Sequence, residues 1–126
     1  MSKSMIFSIH DKFFKASMSD LQLASDLFIH HFPEWIKAKM DLKQLVLKPG
    51  NFITPKLKAY FTDMLYQVPI DGKPGYLYLV VEHKSYPSKF LPLQLLEYKV
   101  AIWRKHLDDH PNAKELPLVY GAAFYH

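Results

Sequence analysis

Phe61-Thr-Asp-Met-Leu-Tyr-Gln-Val-Pro-Ile70, then Asp71-Gly-Lys-Pro74, then Gly75-Tyr-Leu-Tyr-Leu-Val-Val-Glu-His-Lys84: these two runs and the turn signal between them decide the fold. Tyr76 to His83 is apolar on both faces, so it reads as a strand in the middle of a sheet covered on both sides. Phe61 to Ile70 has few helix breakers before Pro69 and reads as its partner strand. Two acids sit inside these runs, where acids are normally depleted. Asp63 comes early in the first strand and Glu82 late in the second. With a four-residue loop, Asp71 to Pro74, Ile70 faces Gly75 and Asp63 stands directly opposite Glu82, Cβ atoms roughly 4.5–5.5 Å apart. With a two-residue Asp71-Gly72 loop the pairing shifts by two, and the carboxylates become diagonal neighbours on the same face.

Like charges opposed in a sheet repel, so a cation, a shared proton or solvent has to offset them. A divalent metal is the simplest answer, because hard cations take oxygen ligands. Lys84 lies two residues past Glu82 and projects from the same face. An ammonium there can neutralise charge beside a phosphate or orient an attacking water. Asp63, Glu82 and Lys84 on one patch suit metal-assisted phosphodiester hydrolysis. The plainer reading is a pair of solvated strand-end acids with Lys84 as their salt-bridge partner.

Outward from the hairpin, residues 8–40 read as helical. Phe13, Phe14 and Ser17 suggest a first turn or two. Ser19 or Asp20 can cap a helix carrying Leu21, Leu23, Leu27, Phe28 and Phe32. Pro33 starts a further short helix through Trp35, Ile36 and Met40. Leu42 to Leu47 reads as a short strand closed by Pro49-Gly50-Asn51. From Ser88 to His106 the period is helical, with Leu93, Leu96, Val100, Trp103 and Leu107 as one apolar stripe. Pro92 falls in its first turn, where a missing N–H costs least. Asp109-His-Pro-Asn reads as a loop and Leu116 to Tyr125 as a last strand. Helices, three strands, a long helix and a strand make a mixed α/β domain.

The 126 residues, nearly half of them hydrophobic, suffice for one well-packed domain and not two. The absence of cysteine excludes disulfides, thiolate zinc sites and cysteine nucleophiles, and suits a cytoplasmic setting. No apolar run serves as a signal peptide or approaches the ~18 residues of a membrane span, so no membrane partner is expected. A formal net charge of +4 fits a polyanion such as DNA. Lys12, Lys15, Lys89, Lys99 and Arg104 are candidate phosphate contacts. No glycine-rich phosphate loop occurs, which argues against ATP-driven chemistry. His30-His31, and His106 with His110, lack partners at metal-binding spacing.

The pattern Asp63, then Glu82-His83-Lys84, resembles the D…(D/E)xK signature of the PD-(D/E)XK nuclease superfamily. Gln94-Leu-Leu-Glu-Tyr98 is similar to the QhxxY motif on the helix after the catalytic hairpin of RecB-like members. The chain also resembles the Rpn family, the recombination-promoting nucleases also grouped as YhgA-like transposases. The matching stretches are His10-Asp11-Lys12-Phe13-Phe14-Lys15, Phe61-Thr-Asp-Met-Leu-Tyr, Val80-Val-Glu-His-Lys-Ser, Tyr98-Lys-Val-Ala-Ile-Trp, Leu116-Pro-Leu-Val and Phe124-Tyr-His. The resemblance implies a restriction-endonuclease-like αβββαβ core with a mixed central sheet flanked by helices. It implies a DNA endonuclease using Mg2+ or Mn2+, linked to recombination or mobile elements. The catalytic set would be Asp63, Glu82 and Lys84, with the metal on Asp63, Glu82 and the backbone carbonyl of His83. Asp11 would support the metal, and Gln94 and Tyr98 would contact DNA or order Lys84. Many members carry Gln where this chain has Lys84, and Lys is the superfamily's commoner choice. Members usually continue beyond Phe124-Tyr-His, so residues 1–126 are expected to be the N-terminal catalytic domain of a longer architecture. A homo-oligomer stays open, as does a catalytically inactive nucleic-acid-binding or assembly module that keeps the fold.

Overall fold

Asp20 begins the helix Leu21–His31 by accepting hydrogen bonds at its side chain from the backbone N–H groups of Gln22 (2.9 Å) and Leu23 (3.4 Å). That is the capping role expected of an acid at this position. The computed structural model describes residues 16–48, 61–82 and 89–124. Within them α1 spans Leu21–His31 and α2 spans Glu34–Lys37, entered from an extended Pro33. Three strands follow: β1 (Val46–Lys48), β2 (Phe61–Ile70) and β3 (Lys73–Glu82). A long helix α3 (Leu91–Asp109) then leads to β4 (Leu118–Phe124).

The sheet runs β1-β2-β3-β4 in space. The first two pairings are antiparallel, whereas β4 is parallel to β3. Parallel neighbours need a crossover, and α3 supplies it. Helices therefore cover both faces, and β3 lies inside the sheet as its two-sided apolar pattern requires. On one face Met64, Tyr66, Val68, Leu77 and Leu79 pack with Ala24, Phe28, Ile36 and Met40. On the other, Phe61, Leu65, Tyr76, Tyr78 and Val80 pack with Leu91, Tyr98 and Ile102 of α3. This is the mixed α/β architecture of a restriction-endonuclease-like core.

The β2–β3 turn corrects the longer loop considered above. Ile70 pairs with Lys73, so only Asp71 and Gly72 lie between the strands. Both have positive φ, 54° and 74°. Two left-handed residues match the twist of a tight hairpin, and Asp-Gly is the dipeptide that tolerates them best. Leu42 to Leu47 is also corrected. Asp41 caps a 3-10 turn over Leu42–Gln44, its side chain accepting from the Lys43 N–H at 3.2 Å, and the strand begins only at Val46.

The apolar stripe read along α3 lies on its outer side: Leu93, Leu96, Val100 and Leu107 are 54%, 53%, 38% and 40% exposed. The buried stripe is Leu91, Gln94, Tyr98, Ile102 and His106. Its rings reach polar partners in the sheet, so burying them leaves few groups unpaired. Tyr98 bonds to Asp63, and His106 Nδ1 lies 2.8 Å from the Tyr76 hydroxyl. The helix also runs past His106, so that Asp109 closes it and His110 is its C-cap, stacked on the His106 ring at 4.2 Å.

Candidate active site

Register places the acids. With Ile70 opposite Lys73, Asp63 pairs with Val80 and Glu82 pairs with Phe61. Paired residues share a face, and alternation puts Phe61, Asp63 and Leu65 on the face of Val80 and Glu82. Asp63 and Glu82 are thus diagonal neighbours on adjacent antiparallel strands, with Cα atoms roughly 7–8 Å apart. The directly opposed arrangement does not occur. Diagonal acids repel less than directly opposed ones.

Their face is the one covered by α3. Tyr98 is fully buried there, and its hydroxyl donates to Asp63 Oδ2 at 2.7 Å. Two rings hold the phenol edge-on: Phe61, with centroids 6.0 Å apart, and Tyr78 at 5.2 Å. Burial, then the Asp63 charge and hydrogen bond, drive the Tyr98 hydroxyl well above the ordinary tyrosine range, so it stays a donor. Phe61 and Tyr78 went unremarked in the sequence as site residues. The signal available was their register, since both flank Asp63 on one face. Gly121 of β4 pairs with Tyr78, and a Cβ there would overlap the Tyr78 ring. Glycine at this position lets the ring sit where it meets Tyr98.

Gln94 lies one helical turn before Tyr98 and is buried, and its Oε1 finds no donor among the described residues. A buried amide oxygen without a donor calls for a ligand or a side chain that supplies one. Asp11, His83 and Lys84 fall outside the described residues. Among the described residues no group of three or more histidines and acids forms a ready metal cage. Asp63 and Glu82 still offer hard oxygens of the kind that Mg2+ or Mn2+ takes. With Oδ2 of Asp63 engaged by Tyr98, its other oxygen is held in a defined direction. Two carboxylates on one face, and a buried amide oxygen one helical turn from Tyr98, are hard oxygen donors of the type a divalent ion takes. A cavity of about 710 Å3 opens at the far, hairpin end of the sheet, lined by Ile70, Lys73, His106 and His110 among others. It contains neither acid, so cavity size does not locate this site.

The chain matches the family described as "Putative transposase, YhgA-like" over residues 8–126. It belongs to that family. YhgA-like relatives include recombination-promoting nuclease RpnC of Escherichia coli strain K12, 38% identical over 92% of this chain and 38% of the relative. RpnA of the same strain is 34% identical over the whole of this chain and 42% of its own length. A third, named inactive recombination-promoting nuclease-like protein RpnE, is 35% identical over a similar span. The chain thus covers about two fifths of the length of these YhgA-like relatives. No solved structure matches it significantly. Among the described residues no helix is long and apolar enough to cross a membrane.

Proposed function

We propose that this chain is a divalent-metal-dependent DNA endonuclease domain of the PD-(D/E)XK type, acting in recombination or mobile-element biology. The observation that carries the reading is the shared face of Asp63 and Glu82, with Tyr98 bonded to Asp63. The names of RpnC and RpnA support it. Asp63, Glu82 and the His83 carbonyl would hold Mg2+ or Mn2+, whose chemistry is to acidify a bound water and draw charge from the phosphate. The remaining tasks fall to side chains. Tyr98 fixes the Asp63 carboxylate, so it does not reorganise as charge develops. Lys84 orients or deprotonates the attacking water. Gln94 offers its oxygen to a donor in the site, and Asp11 would support the metal.

The test is nicking of supercoiled plasmid in magnesium, manganese or calcium, with chelator as control. Wild type should nick in magnesium or manganese, and Asp63→Ala and Lys84→Ala should not. Full activity in both variants would place the chemistry elsewhere. The inactive label of RpnE, at 35% identity, favours a second reading: a nucleic-acid-binding or assembly module without catalysis. Plasmid binding that weakens steeply with salt, without nicking in any metal, would select it.

A further inference from the structure

The outward side of α3 needs an explanation that the acidic face does not provide. Leu93, Leu96, Val100, Trp103 and Leu107 follow one another at spacings of three, four, three and four. That is the a/d seam of a coiled coil. Four of the five are substantially exposed, and Trp103 is half-buried with its Nε1 donating to the Pro117 carbonyl at 2.8 Å. The indole is therefore fixed and its polar atom satisfied, which suits a dry contact. The opposite side of the same helix is spent on the sheet. An aliphatic line of this length on water marks a contact surface.

We propose that α3 pairs antiparallel with α3 of a second copy of this chain, about a twofold axis passing between Val100 and Trp103. In that register Val100 packs on Trp103 of the second copy and Leu96 on its Leu107. The charges beside the seam choose this orientation. Glu97 and Arg104, both exposed, take equivalent flanking positions. Antiparallel pairing sets Glu97 of each copy against Arg104 of the other, two attractive pairs by symmetry. Parallel pairing would set Lys99 against Arg104 twice, which repels. A twofold contact is self-complementary and closes at two copies. Arg104 then belongs to a protein seam and not to phosphate. The inference stands apart from the nuclease reading.

Sedimentation equilibrium over the micromolar range tests it. Wild type should be a reversible dimer. Leu96→Glu should be monomeric with an unchanged far-UV circular dichroism spectrum, since the side chain replaced is exposed. Glu97→Arg and Arg104→Glu should each weaken the dimer at least about tenfold, because each converts two attractions into repulsions. The double variant Glu97→Arg with Arg104→Glu should recover most of the affinity. A wild-type chain that stays monomeric overturns the proposal and gives the stripe to another occupant. So does a dimer indifferent to Leu96→Glu, or charge variants without recovery in the double.

Discussion

Among the described residues each face of the sheet buries one tyrosine completely, and the two are held differently. On the α1 side Tyr66 stands edge-on to Phe28, centroids 5.5 Å apart, and donates to the Met18 carbonyl at 2.6 Å. On the α3 side Tyr98 stands edge-on to Phe61 and Tyr78 and donates to the Asp63 carboxylate. Burial pushes both hydroxyls up, so both remain protonated donors. The difference lies in the acceptor. A backbone carbonyl is placed by the fold and has nothing to do afterwards, whereas a half-buried carboxylate carries charge and a second oxygen. The first phenol ties chain to core; the second aims a charge.

The strongest way to break this comparison is Asp63→Asn. The amide oxygen can still accept from Tyr98, so the fold should hold. On the nuclease reading the plasmid nicking rate should fall on the order of a hundredfold or more, the scale of losing a charge-stabilising group. A variant at wild-type rate would reduce Tyr98 to the same structural role as Tyr66. Next in size is the matched pair Tyr98→Phe and Tyr66→Phe. Each removes one buried hydrogen bond and should cost about 1 kcal/mol in urea denaturation. Only Tyr98→Phe should also slow nicking, by roughly ten- to a hundredfold, as for groups that orient metal ligands. Equal rates in the two variants would erase the distinction.

A smaller effect sharpens the comparison with a third ring. Tyr76, on the α3 face, has the His106 imidazole as its partner. Burial lowers the His106 pKa and the His110 ring beside it adds to this, with Asp109 opposing. Folded His106 thus holds its proton less well than the unfolded chain, whose value is about 6.5. The stability it contributes is present above about pH 6.5 and is lost as pH falls through the lowered folded value. Melting temperature should drop on acidification in wild type, and His106→Asn should flatten that drop. Identical profiles would show that the imidazole does not titrate with unfolding.

Much of the frame was legible because local chemistry dictates it. Asp20 caps, Asp71-Gly72 turns, and Tyr76 to His83 reads as central because it is apolar on both faces. Periodicity along α3 finds the oilier side, which here lies outward. There the aliphatic seam outranks a core stripe containing Gln94, Tyr98 and His106, and only partners in the sheet reveal that such polar residues are buried. Asp41 stopped a strand that the Leu42–Leu47 pattern suggested, by offering a local side-chain bond in its place. For the site, the acids could be placed on one face by counting. The Tyr98–Asp63 bond spans 35 positions and depends on how α3 crosses the sheet, which no local pattern encodes.

β2 runs seven residues past Asp63, about 24 Å at strand rise, before the Asp71-Gly72 turn, yet that turn sets which side chains share the acidic face. Loop length is therefore a parity device. Drawing one residue of β3 into the turn, with β2 unmoved, would set Glu82 opposite Thr62, on the α1 side, and separate the carboxylates by the thickness of the sheet. Drawing in two, Lys73 and Pro74, would return Glu82 to the same side, now square across from Asp63. A change of turn length at an exposed bend can thus silence or retune this face from a distance, without altering any residue on it.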